Sequence, residues 1–253
     1  MKLSSISDVH LSPSYPERFK LFSQFISSKE VQESDIVVLL GDIFDIMVGN
    51  KKQYINAYQE YFNQLGGLLE ADKKIFIVEG NHDFHTGEVY HYYFKKNHPD
   101  KIHNYQHIKS HKVISVNNKK VYLGHGDVLD YKNEAYKRWK SIYSSKLFKV
   151  ITNILIPYKL VDHLGHRASK NSKKRSRDTF NYEASKDLYR EGFVNMLQEY
   201  DFDIALTGHT HIKEDYIKDG KKLLNNGFFP QTKSFIYLDE NNESLITLEE
   251  SLK

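Results

Sequence analysis

Short apolar segments of strand length recur along the chain, and each leads into a Gly beside a charged or imidazole side chain. They are DIVVLL (35–40), KIFIV (74–78), KVYLG (120–124) and DIALTG (203–208). Such runs, rich in β-branched and aromatic residues, predict buried strands. Segments of helical length lie between them, for example 54–70 and 182–200. Strands that alternate with helices predict an α/β fold.

The C-terminal part has a different pattern. EDYIKDGKKLLNNG and SFIYLDENNESLITLEE contain short strand-like runs joined by turn sequences, which predict antiparallel hairpins. We therefore expect one mixed sheet or two packed sheets, in one domain that covers residues 1–253. Residues 131–182 combine long helical stretches with the polar tract SKNSKKRSRD. This segment is predicted to be a helical lid inserted into the domain.

Composition excludes several classes of site. The chain has no cysteine, so disulfides, thiolate zinc sites and cysteine nucleophiles are ruled out. The N-terminus lacks the apolar core of a secretory signal, and no run approaches the roughly eighteen apolar residues of a membrane span. We expect a cytoplasmic protein with metal sites, if any, built from nitrogen and oxygen ligands.

Positive charge is concentrated in one segment. Between Lys132 and Arg190 there are 15 basic and 5 acidic residues, although the whole chain has a net charge of only +3. A basic segment of this kind can meet phosphate groups, nucleic acid or an anionic membrane surface. A solvated helical surface is the alternative explanation.

Polar residues follow five predicted strands. They occur in SDVH (Asp8, His10), GDIFD (Asp42), GNHD (Asn81, His82, Asp83), GHGD (His125) and GHTH (His209, His211). Each motif alone is explained by a turn, a helix cap or a structural histidine. Ligands bind at the carboxyl ends of strands in α/β sheets, so five such motifs together predict a shared site.

The ligand chemistry of these motifs is coherent. The seven candidate ligands, which offer imidazole, carboxylate and amide oxygen donors, are Asp8, His10, Asp42, Asn81, His125, His209 and His211. They are too many for one ion but suit two ions that share a carboxylate. Ligation by nitrogen and oxygen without sulfur favours Mn²⁺, Fe²⁺ or Zn²⁺. We expect two divalent ions, with Mn²⁺ as the first choice.

The order of the five motifs, D-x-H, GD, GNHD, GH and GHxH, resembles the signature of calcineurin-like metallophosphoesterases. The resemblance runs from Asp8 to His211 and implies a pair of mixed sheets packed face to face with helices outside. It also implies one ion held by Asp8, His10 and His211, a second held by Asn81, His125 and His209, and Asp42 as the bridge. The implied reaction is hydrolysis at phosphorus by a hydroxide generated at the two ions.

The same resemblance also assigns roles to other residues of the third motif, GNHD. His82 would contact the scissile phosphate or protonate the leaving oxygen, and Asp83 would orient His82 from behind. Gly80 would allow the strand to turn.

The inserted segment is similar to the lid of UDP-2,3-diacylglucosamine hydrolases, which release UMP and 2,3-diacylglucosamine 1-phosphate. The apolar side chains that would line an acyl chamber are Trp139, Ile142, Tyr143, Leu147, Phe148, Ile151, Ile154 and Leu155. The substrate contacts that the resemblance implies are Asn81, His82, Asn133, Tyr136, Asn171, Ser172, Ser176 and His209. The expected partners are an acylated UDP-sugar and, through the basic lid, an anionic surface at the inner membrane.

One position departs from this hydrolase pattern. Many of its members have Arg where this chain has His82, and Arg and His differ in geometry and in pH response. Another phosphodiesterase or phosphatase of the same superfamily, acting on nucleotides or nucleic acid, is the alternative, and a metal-free binding scaffold is a second. The aromatic residues of the insertion recur at helical spacing among aliphatic ones, so we expect no nucleic-acid partner.

Overall fold

The computed structural model describes residues 1–160 and 182–251. In this part of the chain the strands are β1 (Leu3–Ile6), β2 (Ile36–Leu39), β3 (Met47–Val48), β4 (Lys74–Val78), β5 (Asp83–Phe84), β6 (Tyr105–Ile108), β7 (His111–Val116), β8 (Lys119–Gly124), β9 (Ile204–Thr207), β10 (Lys213–Lys218), β11 (Lys221–Asn226), β12 (Ser234–Leu238) and β13 (Glu243–Thr247). The α-helices are α1 (Pro16–Ser27), α2 (Lys29–Glu33), α3 (Gln53–Ala57), α4 (Gln59–Glu70), α5 (Gly87–Asn97), α6 (Glu134–Tyr143), α7 (Lys146–Val150), α8 (Tyr182–Glu199), α9 (Phe229–Thr232) and α10 (Leu248–Ser251). A 3₁₀ helix covers Pro99–Asn104, and a π-helix covers Ile151–Leu155.

The strands form two large mixed sheets. The first has the order β13-β12-β1-β2-β4-β6, with β1, β2, β4 and β6 parallel and β12 and β13 antiparallel. The second has the order β10-β11-β9-β8-β7, in which β9 pairs in parallel with β8 and β11. Strands β3 and β5 form a small parallel pair. The expected mixed sheets and the C-terminal hairpins β10–β11 and β12–β13 are confirmed.

Alternation of side chains along the strands builds the layers. In β2, Ile36 and Val38 belong to the core between the two sheets, where Leu206 of β9 and Leu224 of β11 also lie. Val37, the residue between them, belongs instead to the core under the helices. This period of two is the geometry of a strand buried on both faces.

Helices cover the outer face of each sheet. Phe22 of α1 and Phe62 of α4 pack on the first sheet. On the second sheet the apolar face predicted for α8 is confirmed, because Phe193 and Met196 pack against Tyr122 of β8. The predicted helix over 54–70 is divided into α3 and α4. The layers are therefore helix, sheet, sheet and helix, as expected.

The first part of the predicted lid is helical. Helices α6 and α7 and the π-helix follow β8, and Tyr143 and Phe148 pack against Val48 and Phe84 of the core. The side chain of Leu155 and residues 161–181 lie outside the described residues. None of the described helices combines the length and the apolar character needed to cross a membrane.

Candidate metal centre

The seven candidate ligands follow the carboxyl ends of five strands that come from both sheets. They are Asp8 and His10 after β1, Asp42 after β2, Asn81 after β4, His125 after β8, and His209 and His211 after β9. Backbone hydrogen bonds join the loops that carry them. The amide of Asp8 donates to the carbonyl of Gly41 at 3.2 Å, and the amide of Gly208 donates to that of His125 at 2.7 Å. The structure therefore brings the loops that carry the seven candidate ligands together at one edge of the two sheets.

The backbone of these loops is strained at most of the candidate ligands. The φ angles are 53° at Asp8, 52° at His10, 52° at Asp42, 69° at His209 and 58° at His211. The left-handed region is uncommon for residues other than Gly, and each such residue costs about 1–3 kcal/mol unless the surroundings stabilise it. Strain of this kind clusters at functional sites, so these loops are built to aim side chains rather than only to turn the chain.

One group of donors surrounds Asp8. Asp8, His10, Asp42 and His211 each place a donor atom within 4.8 Å of the other three. Nε2 of His211 is 3.3 Å from Oδ1 of Asp8 and 3.3 Å from Nε2 of His10. Burial opposes ionisation of Asp8, but its hydrogen bond to His211 and the imidazole charges nearby bring the pKa below its usual value. A buried carboxylate is therefore held beside two imidazole nitrogens.

A second group of donors surrounds Asn81. Its Oδ1 is 2.8 Å from Nδ1 of His209 and 3.1 Å from Nε2 of His125. Asp42 lies between the two groups, because its Oδ1 is 3.5 Å from Nε2 of His125 and its Oδ2 is 3.8 Å from Nε2 of His10. The two oxygens of one carboxylate thus face different donor groups.

These donors fit divalent cations. Imidazole nitrogens, carboxylates and an amide oxygen are the ligands that Mn²⁺, Fe²⁺ and Zn²⁺ use in proteins. Asp8 and Asp42 are 0% and 2% exposed, and buried carboxylates need a compensating charge. A bound cation beside each group would supply that compensation.

Glycines allow the loops to approach one another. A Cβ on Gly80 would lie 2.3 Å from Oδ1 of Asp42, and one on Gly41, whose φ is +84°, would lie 2.7 Å from Cα of Gly80. Gly80 is not in the left-handed region. Its contribution is therefore space for Asp42 rather than the turn that the sequence suggested.

His82 lies at the edge of the first donor group. Its Nδ1 is 2.8 Å from the carbonyl oxygen of Asp45, so Nδ1 carries a proton and Nε2 is directed elsewhere. Nε2 is 4.0 Å from Oδ2 of Asp42. Asp45 also contributes to a second possible metal cluster, with His10 and His82. Sequence reasoning gave Asp45 no role, although it is the second Asp of the GDIFD motif that it quoted.

Asp83 does not hold His82 as expected. Its carboxylate accepts hydrogen bonds from the backbone amides of Asp42 at 2.9 Å, Ile43 at 2.6 Å, Phe44 at 3.3 Å and Gly80 at 2.9 Å. Burial and the charge of Asp42 raise the pKa of Asp83 to about 7. Asp83 therefore ties the loop after β2 to the loop after β4, and the carbonyl of Asp45 orients His82.

The start of the inserted segment contacts the second donor group. The ring of Tyr136 is 4.8 Å from that of His209, which agrees with its predicted position at the site. Asn133 is one step removed, because its Nδ2 donates to Oδ2 of Asp130 at 2.7 Å. That oxygen is 3.8 Å from Nε2 of His209. Sequence reasoning did not predict Asp130. Its position at the end of GHGDVLD, five residues after His125, is the sequence signal that could have identified it.

Three of the predicted substrate contacts cannot be placed at the site. Asn171, Ser172 and Ser176 lie outside the described residues. The other five, which lie in or beside the two donor groups, are Asn81, His82, Asn133, Tyr136 and His209.

Comparison with known proteins identifies the family of the chain. Residues 1–213 match the family model of the calcineurin-like phosphoesterases. The chain is similar to the UDP-2,3-diacylglucosamine hydrolase of Psychromonas ingrahamii, with 23% identity over 83% of this chain and 81% of the relative. It is similar to that of Haemophilus influenzae, with 24% identity over 94% of this chain and 95% of the relative.

Among solved structures, an archaeal phosphodiesterase aligns with 97% of this chain and 99% of its own, at 13% identity and a TM-score of 0.45. The family model spans most of the chain and contains all five motifs. The chain is therefore a phosphoester-hydrolysing enzyme that belongs to the calcineurin-like phosphoesterase family.

Proposed function

We propose that this enzyme hydrolyses the pyrophosphate bond of UDP-2,3-diacylglucosamine to UMP and 2,3-diacylglucosamine 1-phosphate. The observation that carries the proposal is the pair of donor groups on either side of Asp42, in a chain similar over most of its length to hydrolases named for that substrate. A pyrophosphate bears negative charge on the oxygens of both phosphoryl groups, which suits a centre of two cations.

In the proposed centre Asp8, His10 and His211 would hold one ion, Asn81, His125 and His209 would hold the other, and both ions would share Asp42. We propose Mn²⁺ as the metal, with Fe²⁺ and Zn²⁺ as alternatives of the same ligand preference. When bound, two such cations lower the pKa of water and neutralise phosphoryl oxygens.

The side chains around the ions have separate tasks in the proposal. His82 is positioned by the carbonyl of Asp45, so its Nε2 can donate a hydrogen bond to the reacting phosphate or a proton to the leaving oxygen. Asp83 keeps the loops of Asp42 and Gly80 in register through its four backbone hydrogen bonds. Tyr136 packs against the ring of His209 from the side of the insertion.

The inserted segment, residues 131–182, is proposed to be the lid over the acyl chains. Its apolar residues divide into two sets. Tyr143 and Phe148 anchor α6 and α7 to the core, whereas Leu147 is 71% exposed and Ile154 is 73% exposed. Exposed apolar side chains on amphipathic helices suit acyl chains, and the lysines among them suit an anionic membrane surface. We place the enzyme in the cytoplasm, peripheral to the inner membrane.

A second candidate is a different phosphodiesterase with the same centre. The observation that favours it is His82, because the resemblance to hydrolases of this substrate implies Arg at that position.

Hydrolysis assays separate the two candidates. The purified full chain with Mn²⁺ is assayed for UMP release from UDP-2,3-diacylglucosamine and, in parallel, for hydrolysis of bis-p-nitrophenyl phosphate. The proposal expects kcat/KM for the lipid nucleotide to be several orders of magnitude higher. Hydrolysis of the small ester alone would assign the centre to the second candidate.

A further inference from the structure

A groove leads away from the candidate metal centre, between the core and the inserted segment. Its inner part is a cavity of about 170 Å³ whose wall includes Gly80 and His125 of the centre and Tyr143 of α6. Its outer part is a wider cavity of about 580 Å³. Glu79, His85, Lys109 and Lys149 line both cavities, so the two are adjacent.

Two lysines that line the inner cavity, one from the core and one from the insertion, form no ion pair with any other described residue. Lys109 follows β6 on the core side, and Lys146 is the first residue of α7 on the side of the insertion. Both are exposed, and across residues 1–160 and 182–251 no carboxylate lies within ion-pair distance of either. The other two lysines of the groove are paired, Lys140 with Asp127 and Lys149 with Glu88 at 3.2 Å.

The position of Lys146 gives the helix no advantage. A cation in the first turn of a helix opposes the macrodipole, which favours negative charge there. Within the described residues neither Lys109 nor Lys146 forms an ion pair, so an anion beside them would meet two ammonium groups, although the carboxyl of Glu79 lines the same cavity and interacts with Lys109. Hydrogen bonds between charged groups of this kind are stronger than neutral ones.

The outer cavity contains polar groups within a wall that is otherwise largely apolar. Oε1 of Glu79 lies 3.4 Å from Nε2 of His107, and the amide of Thr86 donates to the same carboxyl oxygen at 3.2 Å. Tyr105 also lines this cavity, and its buried hydroxyl group has no hydrogen-bond partner among the residues described. A mostly apolar wall with a few carboxyl and imidazole groups suits a ligand that combines a flat ring with hydrogen-bonding groups.

We propose that this groove is the site of the nucleotide half of the substrate, with Lys109 and Lys146 binding a nucleotide phosphate and the outer cavity receiving the nucleoside. The inference rests on the proposed function and adds a subsite to it. It divides the substrate by polarity, because the exposed apolar side chains of the insertion remain for the acyl chains.

Titration of the Mn²⁺-loaded full chain with UMP by isothermal calorimetry tests the subsite. We expect Lys109→Ala and Lys146→Ala each to raise the Kd for UMP about five- to tenfold, as expected for one lost charged contact. Lys74→Ala is the matched control, because this exposed lysine begins β4, whose other end leads to the metal centre. It should leave the Kd unchanged. Inorganic phosphate, as a second probe, should bind more weakly than UMP.

Equal Kd values for UMP in the wild type and both variants would overturn the subsite, as would binding of UMP no tighter than that of phosphate. UMP release from UDP-2,3-diacylglucosamine is measured separately and tests the proposed function alone. An enzyme that cleaves the lipid nucleotide while the lysine variants bind UMP normally would retain the function and lose the subsite. An enzyme that does not cleave the lipid nucleotide, but whose lysine variants bind UMP more weakly, would retain the subsite and lose the acylated substrate.

Discussion

Substitution of His82 by Ala separates catalysis from metal binding at this centre. The imidazole is held through Nδ1 by the carbonyl of Asp45, and its Nε2 lies 4.0 Å from Oδ2 of Asp42. His82 is outside both donor groups that face Asp42. Its removal should therefore leave the metal content unchanged and take away one group that acts on the phosphate.

The expected loss follows from that single task. A positioned acid or hydrogen-bond donor contributes about 10² to 10⁴ in rate, which corresponds to roughly 2.7–5.5 kcal/mol of transition-state stabilisation. We expect His82→Ala to lower kcat within this range and to change KM little. If Nε2 protonates the leaving oxygen, phenyl esters should be affected more than p-nitrophenyl esters, because the poorer leaving group needs the proton more.

The assay combines kinetics with metal analysis. kcat and KM are measured at saturating Mn²⁺, and bound Mn²⁺ is counted by mass spectrometry after gel filtration. His103→Ala is the matched control, because His103 is exposed in the 3₁₀ helix and makes no contact with the centre.

Two results would refute the reasoning about His82. An unchanged kcat would remove its catalytic role. Loss of bound metal would show that His82 is itself a ligand, as the cluster of His10, Asp45 and His82 within 4.8 Å would allow.

Three further substitutions probe the surroundings of the centre. Gly80→Ala puts a Cβ 2.3 Å from Oδ1 of Asp42 and should lower kcat about tenfold, whereas Gly67→Ala, with no atom within 4 Å of its Cβ, should keep activity; equal kcat values would contradict this. Asp83→Asn replaces one carboxylate oxygen by an NH2 group, so two of the four backbone amides lose their acceptor. The free energy of unfolding in urea at pH 8 should fall by about 2–4 kcal/mol, and an unchanged midpoint would argue against this role. Burial lowers the pKa of His107 from 6.5 to about 4 in the folded state. The contribution of neutral His107 to the free energy of unfolding is therefore fully present above pH 6.5 and is lost as the pH falls through 4. Between pH 7 and 4 the wild type should lose about 3 kcal/mol relative to His107→Gln, and parallel stability curves would contradict this.

The sequence predicts the layers and the location of the site because both depend on local patterns. Runs such as DIVVLL alternate their side chains between two cores, and the residues after them must gather where parallel strands end. The family signature then assigns ligand roles that the arrangement around Asp42 accommodates.

The details that sequence reasoning missed depend on contacts between distant segments. Asp8 and His209 adopt left-handed backbone angles in loops that pack together, and no local sequence motif predicts these angles. Asp83 was paired with its sequence neighbour His82, but its acceptor geometry is satisfied by amides about 40 residues away. In the insertion, helical spacing did not distinguish the anchoring Tyr143 from the exposed Leu147, because tertiary packing decides which side is covered.

The central claim is that two cations share Asp42. An anomalous difference map from crystals of the Mn²⁺-loaded enzyme tests it most directly. The account predicts two peaks roughly 3.5–4 Å apart, one beside Asp8 and His211 and the other beside Asn81 and His125, with Asp42 contacting both. A single peak, or a peak between His82 and Asp45 in place of one of these, would contradict it.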